Sequence, residues 1–150
     1  MLRSTLRLRA LAAAIALLAA AAAAAATDIG QIKTSRGDVV IERSGQTLPG
    51  GVGARLQAAD VIRTGTDGTV GITMSDNSLL SAGPNSIMAL DRYAFDATTN
   101  QGQFDTTLRK GSLSVVSGRI AKQSPEAMTV RTPTAILGVR GTEFVVAVDD

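Results

Sequence analysis

The apolar residues of this chain come in short alternating runs, and no run keeps a helical period for more than about two turns. Val70, Ile72 and Met74 alternate with their neighbours, which is the spacing of a strand with one buried face. Glycine, proline, asparagine and aspartate end most of these runs, because they favour turns over ladders. About ten short strands are predicted between Thr27 and Asp150, and the absence of alternating helices argues against a parallel α/β sheet.

This pattern predicts an all-β fold, a two-layer β-sandwich or jelly-roll-like domain, with a short β-solenoid as the alternative because periodicity does not define strand pairing. Asp67-Gly68 predicts a tight hairpin turn with positive φ at both positions. Segment 48–53 is rich in glycine and proline and is predicted to be a loop without a regular element. Lys110-Gly111 is predicted to separate two strands.

The first 26 residues have the composition of an export signal. Arg3, Arg7 and Arg9 precede an uninterrupted stretch of alanine, leucine and isoleucine that ends in small residues at Ala26. We therefore predict a helical signal peptide at 1–26 and a mature domain at 27–150. An uncleaved anchor is the alternative, because the stretch approaches the ~20 residues that span a bilayer.

The chain contains no cysteine and no histidine. The missing cysteines exclude disulfides and a lipid anchor at the cleavage site. The missing histidines remove the commonest transition-metal ligand and the side chain that titrates nearest neutral pH. Loss of the three leader arginines changes the formal net charge from +2 to −1, which leaves no electrostatic footprint for nucleic acid.

Catalytic and metal chemistry find little support in the residue pattern. Nucleophilic catalysis would need a serine activated by lysine, and no serine lies in a Gly-x-Ser-x-Gly elbow. Asp60, Asp67, Asp76 and Asp91 lie at strand ends and turns, where acids have structural roles, and their spacing matches no calcium loop. We predict that the protein is not an enzyme and has no catalytic residues, no cofactor and no metal site.

Four segments carry an ordered set of turn-bearing motifs: Ala59–Gly65, Asn77–Ser86, Lys110–Leu113 and Thr132–Phe144. The last is the most specific, because it runs from Thr-Pro-Thr-Ala to Val-Arg-Gly-Thr-Glu-Phe. Together these motifs resemble the FecR domain, the periplasmic module of the bacterial FecR sensor family. The leader directly before the domain predicts a stand-alone form.

The resemblance implies a periplasmic location, with secretion beyond the outer membrane left open. It also implies a non-enzymatic domain that binds another envelope protein in signalling or envelope organisation. The partner's identity and the oligomeric state are not defined, and no nucleic acid or membrane span after cleavage is expected. One alternative is a module that binds a small ligand or a glycan, and another is a regulator in iron-siderophore sigma/anti-sigma signalling, as in the best-known members.

The matching motif residues are predicted to specify the fold, with glycines at turns or close approaches and prolines at strand entries. They are Asp60, Thr64, Gly65, Gly83, Pro84, Gly111, Thr132, Pro133, Arg140, Gly141, Thr142 and Phe144. In the last motif we expect a tight bend at Gly141, a buried Phe144 ring, and a strand at 135–137 that is covered on both sides. Glu143 and Asp60 are candidate carboxylate partners for Arg140.

Overall fold

The computed structural model describes residues 26–139 and 143–149. These residues form twelve strands, one short helix and one 3-10 turn, which confirms the all-β prediction. The elements are β1 Gly30–Arg36, β2 Val39–Arg43, β3 Gln46–Pro49, β4 Arg55–Leu56, β5 Val61–Thr64, β6 Thr69–Met74, β7 Leu79–Ala82, β8 Ile87–Phe95, β9 Gly102–Val116, α1 Arg119–Gln123, the 3-10 turn Pro125–Ala127, β10 Met128–Arg131, β11 Ile136–Gly138 and β12 Glu143–Val148.

The predicted leader falls outside the described residues, apart from Ala26. None of the helices in the described ranges has the length and apolar character needed to cross a bilayer.

The strands form one hydrogen-bonded sheet that curls around a single hydrophobic core. Its order is β3-β2-β5-β8-β9-β7-β6-β1-β4, and β10 and β12 join it at β9, with β11 paired to β10. All pairings in the described residues are antiparallel except β9 with β10. Residues from the two halves of this strand order, on either side of β9, belong to the same buried cluster. Ile41 on β2 and Ile72 on β6 are examples. The halves are therefore the two layers of one folded sheet.

Strand β9 joins the two layers. Its first part, up to Lys110, lies between β8 and β10, and its second part, from Gly111, lies between β12 and β7. Gly111 has a φ of +89°, and a Cβ built there would lie 2.5 Å from the Cα of Ser86. The prediction of two separate strands was wrong, because this glycine bends the strand without ending the ladder.

The bend also changes which face of β9 is buried. Phe104 and Leu108 are buried before it, whereas Leu113 and Val115 are buried after it, so the buried positions change from even to odd numbers. The register with β8 shifts at the same place by one extra residue, Arg109. Because one extra residue exchanges the two faces of a strand, this bulge keeps both apolar sets directed at the same core.

The connection between β5 and β6 corrects the hairpin prediction. The two strands do not pair, and the Gly68 N–H donates to the Gly65 carbonyl at 3.0 Å without positive φ at Asp67 or Gly68. A two-residue turn with positive φ at both positions occurs instead at Ser44-Gly45, with φ of 51° and 77°, where it joins β2 to β3. Asp67-Gly68 therefore lies where the chain crosses between the two layers, although its composition is typical of a tight hairpin turn.

The segment 48–53 was also interpreted incorrectly at its start, because β3 continues to Pro49. β3 is the outermost strand on its side of the sheet, and its pairing in the described residues is with β2. A proline is tolerated at such an edge, where its missing N–H removes no bond to a further strand. The remaining residues of the segment form the predicted loop.

We expect Gly111→Val to destabilise the protein by about 3 kcal/mol or more, because a β-branched residue is strained at positive φ and its Cβ overlaps Ser86. Gly138→Val is the matched control, since Gly138 lies in β11 with no heavy atom within 4 Å of a built Cβ. Urea unfolding of both variants measures the difference. Equal unfolding midpoints for the two variants would contradict the role assigned to Gly111.

Candidate functional site

Asp60, from the first motif, is fully buried and ion-paired with Arg43. The guanidinium donates two hydrogen bonds, from Nε to Oδ1 at 2.8 Å and from Nη2 to Oδ2 at 2.7 Å, and the Gln57 N–H adds a third at 2.8 Å. The hydrogen bond to Asp60 raises the pKa of Arg43 above its ordinary value. Asp60 thus has a structural partner, while its predicted candidate partner, Arg140, lies outside the described residues.

Three of the motif segments meet at one corner of the fold. The Thr64 hydroxyl donates to the Gly83 carbonyl at 2.6 Å and accepts from the Ser86 N–H at 2.9 Å. The Ser86 hydroxyl accepts from the Ser112 N–H at 3.0 Å, and the Gly83 N–H donates to the Ser112 carbonyl at 3.1 Å. These contacts link β5, the turn after β7 and the bend of β9. The polar groups involved form their hydrogen bonds with one another.

Two glycines at this corner lie close to neighbouring side chains. A Cβ at Gly83 would overlap the Ser112 hydroxyl, and a Cβ at Gly65 would lie 3.0 Å from the Cβ of Asp38. Pro84 follows in the exposed turn, directly before Asn85, which has a φ of 53°. The corner is thus a packed junction of turns.

The fourth motif begins with the turn between β10 and β11. The Thr132 hydroxyl accepts from the Ala135 N–H at 3.0 Å, and the Thr132 N–H donates to the Ala135 carbonyl at 2.8 Å across the exposed Pro133. The expectation of a strand covered on both sides was wrong, because Ile136 is 66% exposed. β11 pairs only with β10 among the described residues and therefore forms an edge.

The end of this motif is partly described. Phe144 is half-buried and packs against the core from β12, which is less than the full burial expected. The bend predicted at Gly141 and the residue Thr142 lie outside the described residues, as Arg140 does.

A buried network around Asp76 was missed by the sequence analysis, which interpreted this residue only as part of a turn. The Asp76 side chain accepts hydrogen bonds from the Ser78 hydroxyl at 2.8 Å, the Tyr93 hydroxyl at 3.1 Å and the Ile120 N–H at 3.2 Å. The Gly118 N–H donates to the Ser78 hydroxyl at 3.0 Å. The network therefore fixes the β6–β7 turn, β8 and the start of α1 to one another.

Tyr93 is also held through its ring, which packs edge-on against Phe104 with a centroid distance of 5.0 Å. Burial raises the pKa of Tyr93 far above its ordinary value, and the neighbouring Asp76 carboxylate raises it further. The sequence signal for this network was weak. Asp76 lies in the β6–β7 turn and Tyr93 lies in β8, and their spacing in the sequence does not indicate that they are in contact.

Several open cavities are formed by the described surface residues. One of about 420 Å³ is bordered by Tyr93 and Phe95, and one of about 340 Å³ lies over Asp105 on the outer face of β8 to β10. A third, of about 440 Å³, lies between the loop after β8 and α1, and a fourth, of about 220 Å³, is bordered by Asp28 and Arg55. Within the described ranges, no three carboxylates come together in a way that could hold a metal ion.

Strand β12 leaves one side without a strand neighbour in the described part of the chain. It pairs with β9, from Glu143 opposite Val116 to Val148 opposite Gly111. Val146 is buried, whereas Val145, opposite Ser114, is 70% exposed on the outer face. We call this side of residues 143–148 the β12 edge. It offers backbone hydrogen-bonding groups beside an apolar side chain.

The features above define a small all-β domain whose motif residues form structural junctions and whose described surface includes an open strand edge. A family model described as FecR protein matches residues 60–150, which is more than half of the chain. The chain therefore belongs to the FecR family.

No curated protein and no solved structure matches the chain. The folded unit begins before the matched region, because β1 pairs with β6 and β2 pairs with β5 in the same sheet.

We expect Arg43→Ala to lower the free energy of unfolding by about 3 kcal/mol, because it leaves the buried Asp60 carboxylate without its cation. Arg63→Ala is the control, since Arg63 pairs with Glu42 at 2.5 Å where both side chains are more than one-third exposed. Such a surface pair contributes under ~1 kcal/mol. Urea unfolding of both variants decides the point, and a loss at Arg43 no larger than at Arg63 would contradict it.

Tyr93 is the single tyrosine of the chain, so its titration can be followed by the absorbance of tyrosinate. We expect no ionisation in the folded protein near pH ~10, where a tyrosine in the unfolded chain titrates. Because the pKa is higher in the folded state, the contribution to stability is complete below pH ~10 and is lost as the pH rises through the folded-state pKa.

The control is Tyr93→Phe, whose free energy of unfolding should lack this decline above pH ~10. Ionisation of Tyr93 at its ordinary pKa in the folded protein would contradict the buried contact with Asp76.

Proposed function

We propose that this protein is a non-enzymatic FecR-type domain of the periplasm that binds another envelope protein by accepting a strand at the β12 edge. The observation that carries the proposal is the side of β12 that has no strand neighbour in the described part of the chain, beside the exposed Val145. An exposed edge offers unpaired N–H and C=O groups, and an extended segment of a partner can satisfy them by strand addition.

The other edges of the sheet have features that discourage pairing. β3 ends at Pro49, β4 is only two residues long and carries the exposed Arg55, and β11, the edge beside β10, is only three residues long. Proline, short length and charge are the usual means by which proteins block an edge. β12 has six residues, of which only Glu143 is charged. The contrast supports β12 as a surface used for binding.

The outer face beside this edge mixes apolar side chains with serines such as Ser114. Leu79 is 44% exposed on β7, and its register partner Val116 on β9 lies opposite Glu143 on β12. The acids Glu143 and Asp149 lie at the two ends of the edge, and no basic residue occurs in 143–149. A fitting partner strand therefore alternates apolar side chains and carries lysine or arginine at its ends.

The proposed compartment is supported by the basic and apolar leader pattern and by the family, which is a periplasmic and envelope domain family. Signalling and envelope organisation are both consistent with a protein-binding domain. Glycan binding has less support, because the ring of Tyr93 packs against Phe104 and its hydroxyl bonds Asp76, so it is not a free stacking platform. Identification of the partner tests whether this protein has the iron-siderophore signalling role of the best-known family members.

The test is site-specific photocrosslinking in exported protein, with the reactive group at position 147 on the exposed side of β12. We expect one discrete crosslinked protein, identified by mass spectrometry, and at least a fivefold loss of it in Val145→Glu. The added carboxylate replaces the apolar side chain that the partner strand would cover at position 145. The intact mass of the exported protein also gives the length of the leader removed.

Val52→Glu is the matched control, because Val52 is 69% exposed in the loop after β3. It should fold like the wild type and keep the crosslink. Backbone amides of β12 should gain protection from hydrogen exchange when the partner is bound. A crosslink that survives Val145→Glu, or a bound complex with no added protection in β12, would overturn the proposal.

A further inference from the structure

The cavity beside α1 differs in charge from the other described cavities, each of which has Asp28 or Asp105 in its lining. It measures about 440 Å³ and is lined by Arg119, Lys122 and Gln123 of α1 and by Ala97 and Asn100 of the loop after β8. Two cations and two side-chain amides face one space, and no carboxylate lines it. The cavity on the outer face of β8 to β10, in contrast, contains Asp91 and Asp105 beside its arginines.

The cations on α1 have no ion-pair partner among the residues that the structure describes. The nearest acid in the loop sequence, Asp96, accepts a hydrogen bond from the Thr98 N–H at 2.8 Å and so closes its own turn. The loop is further fixed by the Asn100 N–H, which donates to the Asp96 carbonyl at 2.8 Å. The protein thus supplies positive charge here without a counter-charge of its own in the lining.

The helix is held in place by the buried network. The Arg119 N–H donates to the Asp76 carbonyl at 2.8 Å, and the Ile120 N–H donates to the Asp76 carboxylate at 3.2 Å. Ile120 and Ala121 are buried on the inner side of the helix. Because residues three apart share one side of a helix, Arg119 and Lys122 are presented together toward the cavity. A fixed backbone lowers the entropic cost of arranging donors around a ligand.

We infer that this cavity is a binding site for a phosphoryl group. Arginine and lysine provide charged donors, and the Asn100 and Gln123 amides provide neutral ones, so the lining can satisfy several oxygens of one anion. A phosphate presents more acceptor oxygens than a single carboxylate, and it matches this donor set better. The group could belong to a lipid headgroup or to a soluble phosphate ester, and the inference does not depend on the β12 edge.

The experiment is a titration of the exported protein with inorganic phosphate, followed by the NMR shifts of backbone amides at constant ionic strength with chloride. We expect saturable shifts confined to residues 97–100 and 119–123, with a dissociation constant of order 1 mM, and at least tenfold weaker binding in Arg119→Ala/Lys122→Ala. Arg36→Ala/Arg109→Ala removes the same charge from exposed positions elsewhere and should bind within twofold of the wild type.

Two further arms distinguish the sources. Glycerol phosphate tests a soluble ester, and vesicles of phosphatidylglycerol test a headgroup by co-sedimentation. Binding of either one that is lost in Arg119→Ala/Lys122→Ala supports the site and identifies its source. The inference is overturned if the shifts do not saturate, if both double variants weaken binding equally, or if acetate binds as tightly as phosphate. Unfolding midpoints of both double variants at the wild-type value exclude a folding defect.

Discussion

The fold depends on the passage of β9 from one layer of the sheet to the other. Every other strand is attached to β9 directly or through its neighbours, and β9 has a partner on each side in both of its parts. The passage requires a bend without loss of the ladder, which the positive φ of Gly111 provides. It also requires the bulge at Arg109, since without it one half of the apolar residues would face solvent.

Two buried acids complete this arrangement at places where the strands end. Asp60 joins the turn before β5 to Arg43 on β2, and Asp76 joins the β6–β7 turn to Tyr93 and α1. Each acid is fully hydrogen-bonded, and no buried side-chain nitrogen or oxygen in the described residues lacks a partner. A chain without cysteine therefore anchors its turns by charge and hydrogen bonds within an aliphatic core.

The sequence predicted the strands more successfully than their connections. Alternation of Val70, Ile72 and Met74 identified β6 because burial of one face is a local property. The continuity of β9 was not predictable in the same way, since Lys110-Gly111 has the composition of a turn and only the pairing of both residues with neighbouring strands shows that the strand continues. The Asp67-Gly68 error has the same cause, because a turn dipeptide does not determine whether the flanking strands pair.

The candidate binding surfaces were even harder to predict from the sequence than the connections between strands. The motif residues Thr64 and Gly83 were expected to specify the fold, and the structure places them in contact at one corner. The open side of β12 depends on which strands pair elsewhere, and the cavity at α1 depends on a loop and a helix that are distant in sequence. Neither property is encoded in a local pattern.

The position of β12 has a consequence for the order in which the domain opens. The amides of β9 lie between neighbouring strands on both sides, so their exchange with solvent requires the opening of a ladder in the interior of the sheet. Among the described residues β12 is held by one ladder, and opening that ladder leaves the pairings among β1 to β9 in place. A complex formed at the proposed β12 edge would therefore depend on that one ladder, and its opening would release the partner without breaking the rest of the sheet.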